Sequence, residues 1–346
     1  MNGIWKISLL SALVASVGMA IASPSIWEPK PANPGFTRVM TYNIEWFGED
    51  ANPDRIQNLS QIFSDIQPQV VALQEIQSKK SLEQIFDDEW EFVMEDNSNE
   101  FMELAVAVKK PYKIENWEMV FPNRALNYFF PRNRDVLRAV IKSPNGETFT
   151  VYCLHSKARV GGRATTNPQR EGAKAMLAAY IRATNEQNVV VMGDLNDAPD
   201  DRSVQILVTG NMNAQPGFTE PEKSFLVNLM DNLWRQDAVT YGLYTKFDGK
   251  PIPPVASGAR ADNERLRDVD YRYPQDVEVT QIMFDQILVS PPIFRRGVEG
   301  PWIYSLPPAV QGKPGRTRIV DGQVRNEFKG DQASDHLPVF ADIRLR

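Results

Sequence analysis

The chain has 346 residues, 42% hydrophobic and 24% charged, with a formal charge of −6. That length allows a large core, and the mix is ordinary for a folded globular chain. The acidic balance excludes an electrostatic coat on nucleic acid but not a site that grips phosphate through local clusters, and a single cysteine, Cys153, excludes an intramolecular disulfide.

Met1 to Ala22 sets Lys6 before an apolar stretch and ends Ala20-Ile21-Ala22, the small-x-small pattern of a secretory signal peptide. The stretch is short for a membrane span of about 20 residues. The expectation is a signal peptide over 1–22, a proline-rich leader over 23–37 and one domain over 38–346. Export would be to the periplasm or outside the cell, with no stable membrane anchor after cleavage.

FTRVMTYNIEWFG reads as a first strand, with Asn43 and Glu45 on one face by two-residue alternation. Asn52-Pro53-Asp54 is a helix start, with a cap, a first-turn proline and an acid at the positive end of the dipole. Ile56, Leu59, Ile62, Phe63 and Ile66 mark its buried face. PQVVALQEI is a buried strand ending in Gln74 and Glu75. Glu83 to Trp90 reads as a short helix. LAVAV, VLRAVIK and TFTVYCLHS read as strands, the last two joined by an Asn145-Gly146 hairpin turn. The third contains Cys153 as a packing residue and ends at His155.

A polar loop leads to a second helix start at Asn167-Pro168, with Ala173, Met176, Leu177, Tyr180 and Ile181 on its buried stripe. VVVMGDLND is a buried strand, a glycine and then Asp194 and Asn196, two apart and projecting together. From Asp200 to about Glu278 the pattern weakens, with one short helix around Phe225 to Trp234. VTQIMFDQILVS is a strand carrying Asp285, and ASDHLPVFADIRL sets Asp335-His336 before a terminal strand. Strands joined by hairpins, with two long helices, predict an α/β fold of two mainly antiparallel sheets packed face to face, helices outside.

Asn43, Glu75, His155, Asp194, Asn196, Asp285, Asp335 and His336 all sit where an apolar strand meets a polar segment, and both histidines of the chain are among them. Singly, each has a bland reading as a turn former, a cap or a structural histidine. Together they supply what phosphoester cleavage needs: a positioned water, neutralised phosphoryl oxygens and help for the leaving oxygen. Glu75 is a hard oxygen donor suited to Mg²⁺, with Mn²⁺ or Ca²⁺ as alternatives. Asn43 can hold Glu75 or a metal-bound water, Asp194 can orient or deprotonate the attacking water, and Asn196 can bind a phosphoryl oxygen.

MTYNIEWFG, VVALQEI, CLHSKA, VVMGDLND, FDQILVS and ASDHLPVF, in that order, resemble the endonuclease/exonuclease/phosphatase superfamily of DNase I-like enzymes. The resemblance runs from about Arg38 to the C-terminus and is thinnest over 200–278. It implies a four-layer α/β sandwich and divalent-metal-dependent cleavage of phosphoester bonds. By the same resemblance His336 contacts the scissile phosphate with Asp285 fixing its tautomer, Asp335 is a second metal ligand, and His155 protonates the leaving group. Glu103 is a weak candidate for the acid behind His155. Arg134 resembles a phosphate-contacting arginine, and Lys157 and Arg159, in a basic run beside His155, are expected to bind substrate phosphate.

The function expected is an exported, sequence-nonspecific nuclease acting on DNA or RNA. Rivals on the same fold are a sphingomyelinase-type phospholipase C, for which Leu126 to Phe130 would enter lipid, although core packing or stacking against substrate is the stronger reading of that run, and a sugar or inositol phosphate phosphatase. From another class, the rival is a non-catalytic binding protein.

Overall fold

A computed structural model describes residues 28–96, 102–131, 135–160, 163–236, 238–241, 282–313, 315–320, 323–328 and 330–346. The expected signal peptide and Arg134 lie outside these residues. In chain order the strands are β1 (Phe36–Phe47), β2 (Val70–Ile76), β3 (Trp90–Met94), β4 (Glu103–Lys109), β5 (Lys113–Val120), β6 (Val136–Lys142) and β7 (Thr148–His155). They continue with β8 (Val189–Asp194), β9 (Val227–Asn228), β10 (Asp285–Val289), β11 (Val298–Ile303), β12 (Arg316–Val320), β13 (Gln323–Phe328) and β14 (Val339–Arg344).

They form two six-stranded sheets, ordered β11-β14-β1-β2-β4-β3 and β5-β6-β7-β8-β10-β9, plus the hairpin β12-β13. Each large sheet is antiparallel except for one central parallel pair, β1 with β2 and β7 with β8. Each parallel pair needs a crossover, and each has a long helix: α1 (Pro53–Ile66) in the first sheet and α3 (Arg163–Thr184) in the second. The sheets face each other across one apolar core, to which α1 adds Leu59, Ile62, Phe63 and Ile66. A second core lies between the other face of the second sheet and α3 with α4 (Arg202–Thr209). The result is the expected sandwich of helix, sheet, sheet and helix.

Several local expectations hold. Asn52 caps α1, its Oδ1 accepting from Asp54 N at 2.9 Å. Gly146 takes a left-handed φ of +84° in the β6–β7 turn. Cys153 is buried between the sheets, accepting from Gln74 Nε2 at 3.3 Å, and burial pushes its thiol up to about 12.

Others are corrected. A short helix, α2 (Lys79–Leu82), starts at the Ser78 cap, so Glu83 to Trp90 is a turn leading into β3. α3 begins at Arg163, not at Asn167-Pro168. Pro168 therefore lies inside the helix, as its sixth residue, and gives up the bond to the carbonyl of residue 164, while Asn167 Oδ1 accepts from the Arg170 guanidinium instead of capping. Phe225 to Trp234 splits into β9 and the short helix α5 (Asp231–Arg235). β5 and α4 had no distinct signal in the sequence.

Candidate active site

The polar ends of the two parallel pairs converge. Asn43 ends the regular part of β1, Glu75 lies near the end of β2, His155 ends β7 and Asp194 ends β8. Carboxyl ends of parallel strands are where α/β sheets gather ligands, and here two such pairs face one another.

Within the second sheet, three of these groups form a row. His155 pairs with Asp194 across β7–β8, and Asp194 with Asp285 across β8–β10. Gly193 makes the approach possible: at φ +150° it lets β8 run against β7, where any Cβ would come to 2.0 Å from Leu154 O. Asn196 follows at a φ of +52°, a conformation asparagine tolerates better than most residues. Its N–H donates to Asp194 Oδ1 at 2.8 Å, and its amide donates to Asp194 Oδ2 at 3.2 Å and Ser156 O at 3.0 Å.

The first sheet contributes through two irregularities. Glu75, at φ +65°, stands in a bulge where the β2–β4 register shifts between Gln74 and Ile76. Bulges re-aim side chains, and this one turns the carboxylate toward Asn43 Nδ2 (3.2 Å) and Trp46 N (3.2 Å). Opposite, Glu45 and Trp46 have φ of +38° and +50°, and the β1–β2 register shifts between Asn43 and Phe47. Simple alternation of Asn43 and Glu45 therefore does not hold; Asn43 Oδ1 accepts from Glu45 N at 3.0 Å. The Asn43 amide also donates to Asp194 Oδ2 at 3.2 Å, tying the two sheets together.

Asp194 Oδ2 is the centre of the site. His155 Nε2 lies 3.5 Å from it and 3.7 Å from Glu75 Oε1. His336 Nε2 lies 3.9 Å from Asp194 Oδ2 and 3.9 Å from Asp335 Oδ1. His336 Nδ1 donates to Asp285 Oδ2 at 2.7 Å, while Asp285 Oδ1 is buried with no partner among the described residues. Burial works against the His336 cation, but Asp285, Asp335 and Asp194 outweigh it and hold its pKa well above that of an ordinary imidazole. Burial raises the Asp194 carboxyl, opposed by His336.

Thr240 and Tyr241 complete the frame and had no signal in the sequence. Thr240 Oγ1 accepts from Asp285 N at 3.2 Å, and Thr240 O accepts from Leu337 N at 2.7 Å. Tyr241 bridges His336 by backbone pairing and packs its ring 4.8 Å from the imidazole. Ser334 Oγ donates to Asn43 O at 2.6 Å and accepts from His336 N, fixing the Asp335-His336 turn to β1.

The donor set suits a hard divalent cation. Burial pushes the Glu75 carboxyl up, with Glu45 and Asp194 adding to it. Asp335 is raised well above the usual range by burial and by Glu45. Carboxylates that so penalise one another are relieved by a cation. Among the described residues no three His, Cys, Asp or Glu side chains converge as a preformed cage. Mg²⁺ takes one or two carboxylates and keeps its waters. Glu75 and Asp335, with Asn43 beside Glu75, are the residues that would hold it, and Glu45 joins them as an acid the sequence reading did not assign to the site.

Of the expected phosphate-binding residues, Arg159 turns inward. Its Nε donates to Asn196 O and Asp197 Oδ1, both at 3.1 Å, and its Nη2 pairs with Asp201. Arg163 also pairs with Asp201, Arg170 donates to Asp197 Oδ2 at 2.7 Å and to Lys157 O at 2.8 Å, and Lys174 donates to Ser156 Oγ. All four cations are buried. The basic run is thus the underside of the site, locking the 156–159 and 194–201 loops together. Lys157 is half-buried, with Nζ donating to Ala158 O at 3.2 Å. Behind His155, the β6–β7 register carried two residues on from Leu137 and Cys153 brings Asp135 level with it. Asp135 and His155 line one small cavity with Phe129, Phe130 and Ser156. Glu103 is buried in β4, opposite Ile76.

No curated protein matches the chain by sequence. Among solved structures, D. rerio TDP2 complexed with a single strand DNA product is 15% identical with a TM-score of 0.52, covering 89% of this chain and 98% of its own. A Bacteroides thetaiotaomicron mannosyl-6-phosphatase is 13% identical with a TM-score of 0.50, covering 89% and 99%. The human Nocturnin catalytic domain with bound sulfate is 14% identical with a TM-score of 0.50, covering 89% and 93%. These share the DNase I-like fold. Residues 40–336 match the model of the endonuclease/exonuclease/phosphatase family, and the chain belongs to this family of hydrolases acting on phosphoester bonds.

Proposed function

We propose that the chain is an exported, divalent-metal-dependent phosphodiesterase that cleaves DNA or RNA without sequence preference. The observation that carries this reading is the Asp194 carboxylate set between two imidazoles, at 3.5 and 3.9 Å. Cleaving a diester needs a base for the incoming water and an acid for the departing oxygen, on opposite sides of phosphorus. Asp194, made more basic by burial, takes the water proton. His336, held as a cation by Asp285, donates Nε2–H to a phosphoryl oxygen. Asn196 supports it there by exchanging one of its present amide bonds for a phosphoryl contact. His155 gives the leaving oxygen its proton. A divalent cation at Glu75 would neutralise charge on the phosphoryl oxygens. The single strand DNA product held by D. rerio TDP2 supports nucleic acid as the substrate class.

The test is incubation of purified protein with plasmid DNA, RNA, sphingomyelin liposomes and a sugar phosphate, with Mg²⁺, Mn²⁺, Ca²⁺ or chelator. Plasmid nicking or RNA cleavage that chelator abolishes is the expected result. Hydrolysis of only the lipid or only the sugar phosphate overturns the reading. His336→Ala and Asp194→Asn should each lower the rate by about 10²–10⁴-fold; a fully active variant removes that residue from the site. Export is checked by sequencing the N-terminus of protein recovered outside the cytoplasm, where Ser23 should be the first residue.

A further inference from the structure

We infer that Tyr128 is a specificity-determining residue, a preset aromatic platform on which an unpaired nucleobase stacks beside the scissile phosphate. The inference rests on the nuclease reading above and names the form of substrate the site takes.

The platform is built. After a short 3₁₀ turn over Arg124–Leu126, capped by Asn123, three aromatic residues take three different environments. Phe130 is buried and stacks on Phe121, 4.9 Å between centroids and 16° between planes. Phe129 lies over Gly172 of α3, where any Cβ would come to 2.2 Å from the ring. Glycine is less favourable than alanine inside a helix, so this notch comes at the expense of helix stability. Tyr128 is 55% exposed and stands edge-on to Phe129 at 5.1 Å and 83°. Its carbonyl accepts from Gln169 Nε2 at 2.7 Å, which fastens the loop to α3. Phe129 and Phe130 in turn line the cavity shared with His155. The exposed ring is therefore one aromatic residue away from the group that protonates the leaving oxygen.

The occupant follows from chemistry. A lipid surface would need Phe129 and Phe130 turned outward, and both are engaged inward. A polyanion meets a chain of net charge −6 whose Arg159, Arg163 and Arg170 are already paired with Asp197 and Asp201. Affinity that does not depend on charge is what such a site lacks. Stacking on a fixed ring supplies it and is indifferent to base identity, as a sequence-nonspecific enzyme requires. A duplex keeps its bases stacked within, so the platform favours single strands, frayed ends or loops.

The experiment compares wild type with Tyr128→Ala, Tyr128→Phe and Tyr128→Trp on a single-stranded oligonucleotide and on the same oligonucleotide with abasic sites. Tyr128→Ala should raise KM about 5- to 100-fold on the normal strand, leave kcat within about twofold, and change nothing on the abasic strand. Phe and Trp should restore KM. Binding of a 2-aminopurine oligonucleotide in chelator gives a readout apart from turnover: base fluorescence should be quenched by wild type and not by Tyr128→Ala. Gly172→Ala, which drives a Cβ into the Phe129 ring, should weaken quenching as well. An unchanged KM, or an equal loss on the abasic strand, overturns the inference while leaving the nuclease reading intact. Failure of wild type to cut either strand while it still nicks plasmid or cleaves RNA also overturns the inference; failure on plasmid, RNA and both strands removes the nuclease reading itself.

Discussion

Asp194 holds five groups with two oxygens. Oδ1 takes the Asn196 N–H, and Oδ2 meets two amides and two imidazoles. Removing a single partner should therefore shift the pH response before it abolishes the chemistry. Asp285→Asn takes away the strongest electrostatic support of the His336 cation. The imidazole pKa falls, and the alkaline limb of the rate profile should move to lower pH, measured on any cleaved substrate from pH 6 to 9. In stability, the raised His336 pKa contributes below the unfolded value near 6.5, and that contribution is lost as pH rises through the folded value. Asp135 acts in the same direction over a lower pH window. Burial, with Glu95, pushes its carboxyl from 3.8 up to about 7. The folded state therefore holds a proton that the unfolded state has released, and stability falls as pH rises between about 4 and 7. Asp135→Asn should flatten that slope in urea titrations at pH 5 and pH 8. The polar strand ends were legible because an apolar run ending in a charged or amide residue is visible without the fold. Arg159 was misread because a basic run looks the same whether it faces water or carboxylates, and its partners lie about forty residues on, at Asp197 and Asp201.

At the scale of elements, period-two reasoning located the strands and failed where the site bends them. Glu45, Trp46, Glu75 and Asn196 all have positive φ without being glycine. Such positions persist where the surroundings over-determine them, and here the bonds to Asn43, Trp46 N and Asp194 do so. Nothing in a string of residues announces a bulge. α3 began earlier than its capping signal because Arg163 and Asn167 are drawn inward by Asp201 and Arg170. Gly193 is the least replaceable backbone position, since its neighbour is the carbonyl of Leu154 and not a movable side chain. Gly193→Ala should cost on the order of 3 kcal/mol or more, read from the urea midpoint, with activity lost in parallel. Arg170→Met leaves Asp197 without one of its cations inside the protein. It should cost about 3–5 kcal/mol and loosen the 156–159 loop, visible as faster amide exchange there.

At the scale of the molecule, two strand–helix–strand units face each other, and the site is where their carboxyl ends meet. The sequence carried this much because both units have long, clear helices and their motifs fall in order along the chain. It did not carry Thr240 and Tyr241, which enter the site from the middle of a stretch with no periodic pattern. The assembly brings Glu45, Glu75, Asp194 and Asp335 near one another, so that Glu45 and Asp194 push up the Glu75 carboxyl and all three push up that of Asp335. Mg²⁺ should therefore raise the melting temperature by mass action, and Glu75→Gln should reduce that response in a thermal scan with and without chelator. His155, Asp194 and Asp285 occupy one rung across three adjacent strands. Their spacing is set by the ladder of the sheet, at about 4.8 Å per strand, and not by loops that could slacken on their own. Heat inactivation should accordingly have no early phase: catalytic loss and the far-ultraviolet unfolding signal should fall on one curve, because the rung that spaces the proposed acid, base and tautomer-fixing carboxylate breaks only when the sheet does.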